Sequence, residues 1–336
     1  VELVYVQAFD PTTAVAKGPA QPLFTGPNPN PGNAGLSVDA AAVAPTGQMA
    51  LVYHDSTGFS VAFLDAAADG GAAGLTVVKT LLLDSSPYGH GDPAHVIWSN
   101  TSQSFVISTL GLNGVPTIAK YTAAGAQTAG GVAAVTTDDM GQTYSDAPGE
   151  GSVGESGGLL GIVWVSNNAT NPEALTVYSA IGTQVGGVEY VGGVNGPFAT
   201  LAGVAGGFVT VYANQSGPTT TGLFIPTAGG AFQDGGTTFS VPGVGASKLR
   251  AISDGVGSGG AGGVGLGLLY QGGNSAGFAY IHADGTTVDG PVTVFSTGPQ
   301  AQAEISLTNL NGSFVMTAFN ANGNQVSTQI AASGCN

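Results

Sequence analysis

Three aspartates, Asp39, Asp92 and Asp146, follow one another at steps of 53 and 54 residues. Spacing that regular puts the same side chain at the same place in successive repeats. Three carboxylates brought together at one mouth of a channel could hold a hard cation such as Ca²⁺, or line a polar cleft for a glycan or peptide. Continuing the step lands on Pro197, Lys248 and Gln302, so Lys248 and the nearby Arg250 stand opposite the acids as further binding candidates. The competing reading gives each Asp a local task, capping its own turn through an Asx bond.

A second acidic group is denser: Asp138, Asp139, Asp146, Glu150 and Glu155. Within it Thr137, Asp139, Gly141, Thr143 and Tyr144 match the Asp-box pattern, and Asp234, Gly236, Thr238 and Phe239 give a poorer copy. These boxes resemble those of sialidase-like propellers, and that resemblance implies structural turns rather than catalytic groups. A sialidase-type centre needs three arginines, whereas Arg250 is the only one here. A glycosidase needs only two carboxylates ~5–9 Å apart, so a carbohydrate-active enzyme using Asp92 and Asp146 is the enzyme alternative. His90, Asp92 and His95 have the look of half a metal site, but His54 and His282 fall at other depths in their repeats and complete no zinc centre. Neither a nucleophile elbow nor a phosphate-binding loop is present. The run 255–265, rich in Gly, reads as a long flexible hairpin, since no helix follows it.

The elements that must position these residues are short strands. Of 336 residues, 57 are Gly, about 17% against ~7% in an average protein, while only 7% are charged. Helix surfaces are built from the Glu, Lys and Arg that are scarce here, so the composition argues against a helical protein. Five cations against twenty acids, a net charge of −15, cannot neutralise a run of phosphates, which excludes nucleic acid. With 43% hydrophobic residues the chain has the apolar surface to form a core, so disorder is not expected.

A repeat of ~50 residues runs through the chain. One copy reads AHVIWSN (94–100), SFVISTLG (104–111), PTIAKYTAAGA (116–126) and GGVAAVTT (130–137); another reads SKLRAISDG (247–255), GVGLGLLYQ (263–271), AGFAYIHADGT (276–286) and GPVTVFST (290–297). Each has four apolar segments, and the third ends in a glycine turn at Gly125, Gly182 or Gly285, the signal of repeated hairpins. Four strands per unit at this period predict an all-β fold, a single β-propeller domain over residues 1–336. Its units lie near 38–90, 91–145, 146–195, 196–246 and 247–299. A sixth four-stranded blade, sewn from 301–336 and 1–25, closes the ring from both termini. One strand is left over, so seven blades is the alternative.

The strands Leu51-Val52-Tyr53, Ile162-Val163-Trp164, Val209-Thr210-Val211-Tyr212 and Leu268-Leu269-Tyr270, with their glycine turns, carry a resemblance. The repeat resembles the secreted and cell-surface β-propeller repeats common in myxobacteria and related Gram-negative bacteria. That resemblance implies an architecture and no shared reaction.

The chain begins at Val1, which reads as a processed or trimmed form, and its longest apolar runs fall short of the ~18 residues of a membrane helix. An exported, extracellular or surface-displayed protein is expected. Four sequons, at Asn100, Asn168, Asn214 and Asn311, are glycosylation candidates. The single Cys335 is either an unconstrained tail thiol or an intermolecular disulfide or attachment point. The expected function is a non-catalytic binding or assembly module for protein or glycan partners, homo-assembly included. The alternatives are a structural subunit of an extracellular appendage or viral particle, and the carbohydrate-active enzyme above. No cofactor other than Ca²⁺ is implied.

Overall fold

The structure, a computed structural model, describes residues 2–6, 19, 21–26, 37–55, 58–66, 75–84, 94–110, 116–133, 152–165, 173–179, 184–192, 199–213, 220–228, 231–232, 236–241, 248–254, 265–272, 275–295, 305–310, 313–319 and 325–331. No helix occurs among them. The chain divides into two compact units, residues 1–133 and 134–336.

In the first unit, β1 (Glu2–Val6) and β2 (Gln21–Gly26) pair as a two-stranded sheet. β3 (Ser37–Val43), β4 (Met49–Asp55), β5 (Gly58–Ala66) and β6 (Leu75–Asp84) form one four-stranded sheet in chain order, and β7 (His95–Ser99), β8 (Ser104–Leu110), β9 (Pro116–Tyr121) and β10 (Gln127–Ala133) form the next. In the second unit, β11 (Ser152–Ser156), β12 (Leu159–Val165), β13 (Glu173–Ser179) and β14 (Gln184–Gly192) repeat the pattern. They are followed by β15 (Ala199–Val204), β16 (Gly207–Ala213), β17 (Thr220–Ala228), β18 (Ala231–Phe232) and β19 (Thr237–Val241). Then come β20 (Lys248–Ser253), β21 (Leu266–Gly272), β22 (Ser275–Ile281) and β23 (Val288–Phe295), and last a three-stranded sheet of β24 (Ser306–Leu310), β25 (Ser313–Phe319) and β26 (Gln325–Ala331).

Every pairing is antiparallel. The first strands of consecutive sheets also adjoin: β3 lies beside β7, β11 beside β15, β15 beside β20, and β20 beside β24. Up-and-down sheets stacked face to face, with their first strands as neighbours, are the blades of a β-propeller. One sheet exceeds four strands. β17 is nine residues long, so Thr220–Phe224 pair with β19 while Thr227 and Ala228 pair with β18, and the blade gains a fifth strand.

Apolar side chains from facing blades form the cores. Val52, Val61 and Phe63 meet Val96, Phe105 and Ile107 in the first unit. In the second, Leu159 and Val163 meet Leu201 and Phe208, Val209 and Val211 meet Leu249 and Leu268, and Leu269 and Phe278 meet Phe314 and Met316. Strands covered on both faces need apolar residues at every position, and β15 is buried throughout. Outer strands need fewer, and β23 has no buried residue.

The glycine turns have one geometry. Gly47, Gly125 and Gly285 each sit at positive φ (94°, 75° and 72°) and donate their N–H to the carbonyl three residues back. Only glycine adopts that conformation without strain. Gly182 lies outside the described residues. In the last turn Asp284 adds an Asx cap: its Oδ1 accepts the N–H of Thr286 at 2.9 Å and of Thr287 at 2.8 Å, and its Oδ2 accepts the Thr287 hydroxyl. The Thr287 hydroxyl, together with the Thr287 and Thr286 amides, holds the Asp284 carboxyl down at about 2. A carboxylate pKa lowered by folding stabilises fully above its unfolded value of ~3.9, and that contribution disappears as pH falls through the folded value. Asp284→Ala is therefore expected to cost about 1 kcal/mol near neutral pH, modest because the group is exposed. The difference from wild type should shrink between about pH 4 and pH 2, read from urea midpoints across that range.

Candidate functional site

Of the sequence candidates, Asp39 lies on the first strand of its blade, β3, and Lys248 and Arg250 on the first strand of theirs, β20. Asp39 does not precede its strand, as the spacing predicts. It is the third residue of β3, at the irregularity where pairing skips from Val38–Tyr53 to Ala40–Val52. Asp92 and Asp146 lie outside the described residues, three before the start of β7 and six before that of β11. Equal spacing along the chain therefore does not give equal position in the strand, because connections of different length separate the units. Among the described residues no three His, Cys, Asp or Glu side chains gather as a metal site.

Lys248 opens β20, and Arg250, two residues on, is 9% exposed and donates from Nη1 to the Leu249 carbonyl at 2.9 Å. His95 opens β7 and is buried, as its place on an innermost strand predicts. His54 lies in β4, and His90 is outside the described residues. Asn100 is exposed on the turn between β7 and β8, whereas Asn168, Asn214, Asn311 and Cys335 lie outside the described residues. So do Asp138, Asp139, Glu150, the Asp box at 137–144 and Asp234; Gly236 leads into β19.

What ties the inner strands together is a set of hydroxyls that the acids overshadow in the sequence. Ser152, opposite Val163, accepts the N–H of Leu201 on the next blade at 3.1 Å. Thr200, opposite Val211, accepts the N–H of Ala251 on the blade after that at 3.0 Å. Four residues beyond Ser152, Ser156 donates to the Val204 carbonyl at 2.8 Å. An innermost strand has no neighbour on one edge, and these hydroxyls satisfy backbone groups that would otherwise be buried unpaired. Aligning the repeats on Ser152, Thr200 and Arg250, rather than on acids, is the signal that could have found them.

A second polar group lies where the β20–β23 blade meets β24. Asp254 is buried, its Oδ2 accepts the Tyr280 hydroxyl at 2.7 Å, and its backbone carbonyl accepts from the Asn309 amide. The Asp254 N–H donates to Gly265 at 3.0 Å, which closes the base of the 255–264 connection. The Tyr280 ring meets His282 edge-on at 5.1 Å, and His282 Nε2 lies 2.6 Å from Asp289 Oδ2. Removing a donor from a buried carboxylate costs about 1–3 kcal/mol. Tyr280→Phe, which keeps the ring against Phe314, is expected to lose stability in that range by chemical denaturation.

No family model matches the chain, and no curated protein matches it. Solved structures do. The fungal lectin of Aleuria aurantia, a six-bladed β-propeller with a novel fucose recognition mode, is 12% identical, with a TM-score of 0.54 over 88% of this chain and 91% of that one. The likeness is one of fold. The WD40 domain of Toxoplasma gondii coronin is 13% identical, with a TM-score of 0.51 over 87% of this chain and 68% of that one. A prolyl endopeptidase structure is 16% identical, with a TM-score of 0.52 over 96% of this chain and 44% of that one. No helix among the described residues is long and apolar enough to cross a membrane.

Proposed function

We propose that this chain is an extracellular or surface-displayed β-propeller that binds a glycan or protein partner and does not transform it. The observation that carries the reading is the extent of the likeness to a lectin propeller, which takes in nearly all of both chains. A WD40 domain of similar fold supports a binding role, although the fold by itself also serves in an enzyme. The chain's chemistry points the same way. One Arg, four Lys, four His and one Cys leave few groups for acid–base or nucleophilic work, and Arg250 is buried among the seams. The resemblance of the repeat to secreted propellers of Gram-negative bacteria supports export.

Binding to a glycan array and capture on immobilised surface proteins of the source organism test the reading. The expected result is saturable binding to one class of glycan or to one protein. A blank result on both would overturn the proposal. Fractionation of cells making the native protein checks the location, with recovery in the medium or on the surface expected and recovery in the cytosol contrary.

A further inference from the structure

β6, ten residues long, is the longest of the described strands and the outer edge of its sheet. Among the described residues only β5 pairs with it, and β2 approaches without joining its ladder. The N–H and C=O groups on the side away from β5 are therefore a template for another strand. Side chains alternate along β6: Thr76, Val78, Thr80 and Leu82 are exposed, while Leu81 and Leu83 pack toward the core around Phe63. Val78 and Leu82 are each 56% exposed, and no other described strand shows two large apolar residues so open to solvent. Two other outer strands are defended: β23 contains Pro291, which has no N–H to offer, and β19 has only five residues. β6 has neither device, and its one lysine, Lys79, turns its ammonium to the Gly125 carbonyl at 2.8 Å. Pairing with β5 skips Val78 and Leu83, yet it is regular over Lys79–Leu82, and the alternation of exposure runs unbroken from Thr76 to Leu83.

We propose that β6 pairs with β6 of a second copy of this chain, antiparallel about a two-fold axis at Thr80. In that register Thr80 meets Thr80, and Val78 of each copy meets Leu82 of the other, so one symmetry operation covers both exposed apolar side chains. Threonine with threonine and aliphatic with aliphatic are cross-strand pairs that stabilise antiparallel sheets. An axis at Lys79 would set lysine against lysine, and an axis at Leu81 would put Val78 opposite Asp84. Charge favours the same occupant. A chain of net charge −15 approaches its own copy most easily where carboxylates are absent, and residues 75–83 contain none. The contact covers less than the ~800 Å² per partner of a standard interface, so the dimer is expected to be weak, with a Kd of about 10–100 µM. Pairing uses up the edge, and association stops at two. This self-association stands apart from capture of a glycan or of another protein, and a blank array would leave it untouched.

The test is sedimentation velocity of the full chain from about 1 to about 500 µM, a range that brackets the expected Kd. For wild type the weight-average mass is expected to rise from the 32.8 kDa of one chain toward twice that value. Thr80→Lys places lysines directly opposite each other, and Leu82→Lys faces Val78 of the other copy with a charge. Each should raise the Kd by about tenfold or more, and both positions are exposed, so the fold should survive. Combining Val78→Glu with Leu82→Lys sets opposite charges across the two-fold and should recover much of the association lost in Leu82→Lys. Val292→Lys, at an exposed apolar residue of β23, should associate as wild type does. A wild type that stays at the mass of one chain throughout would overturn the proposal even if every variant failed to fold. So would association indifferent to Thr80→Lys and Leu82→Lys, growth beyond two copies, or no recovery in the double variant.

Discussion

Gly203→Ala is expected to destabilise the second unit by about 3 kcal/mol, at the upper end of what one inserted methyl costs a packed interior. Gly203 lies on β15 where that strand meets β11, and a Cβ there would stand 1.6 Å from the Glu155 carbonyl oxygen and 2.3 Å from its carbon. Both atoms are backbone, so no rotamer change relieves the contact, and one strand must move. Movement would also strain the neighbouring bonds from Ser152 to Leu201 and from Ser156 to Val204. Gly206→Ala in the following turn is the matched control. Its Cβ would meet nothing within 4 Å, and the cost is the backbone strain of φ +80°, about 1–2 kcal/mol. Denaturant unfolding of both variants checks the ordering, and equal midpoints would refute the close approach of β11 and β15.

Phe63→Ala is expected to cost about 3–5 kcal/mol, the usual range for emptying a buried phenylalanine site. The ring is fully buried between blades, 6.0 Å from Phe105 and 5.5 Å from Tyr121, and lies over Gly125 in the turn between β9 and β10. A Cβ on Gly125 would come within 2.6 Å of it. The Gly125 carbonyl also accepts from Lys79 Nζ at 2.8 Å, which fastens β6 to the same turn. Gly125→Ala alone should combine the strain of φ +75° with the ring clash. In the Phe63→Ala background only the strain should remain, so the double variant is expected to be less damaged than the sum of the singles. Strict additivity would show that ring and turn do not touch. The second unit repeats the device: Phe224 of β17 lies over Gly285, where a Cβ would come within 2.3 Å.

That pairing of phenylalanine with a turn glycine explains which parts of the fold could be read from the chain. Gly125 and Gly285 close turns between alternating apolar segments, and such local signals carry over directly into hairpins. Gly203 carries no local signal, because what forbids a side chain there is the Glu155 carbonyl of another blade. The aspartate spacing shows a related effect, since Asp39 lies within β3 whereas Asp92 and Asp146 come before the residues of β7 and β11. Chain spacing counts residues, whereas position in a blade counts strand pairs. The segments ahead of β7 and β11 differ in length, 85–94 against 134–151, which alters the count from unit to unit. Ser152 and Thr200 went unnoticed because single hydroxyls are common in any exported-looking sequence. Their task appears only when the first strands of neighbouring blades lie side by side. The fifth strand, β19, follows from the length of β17, which the apolar pattern alone does not delimit.

The central claim is that this propeller binds without turning its ligand over. The direct measurement is mass analysis of a glycan or peptide that the protein captures, after prolonged incubation with protein in excess. The account predicts recovery of the ligand intact, with a stoichiometric complex and no product. Cleavage or modification of the captured ligand by wild type, abolished by replacing Asp92 or Asp146 with asparagine, would contradict it.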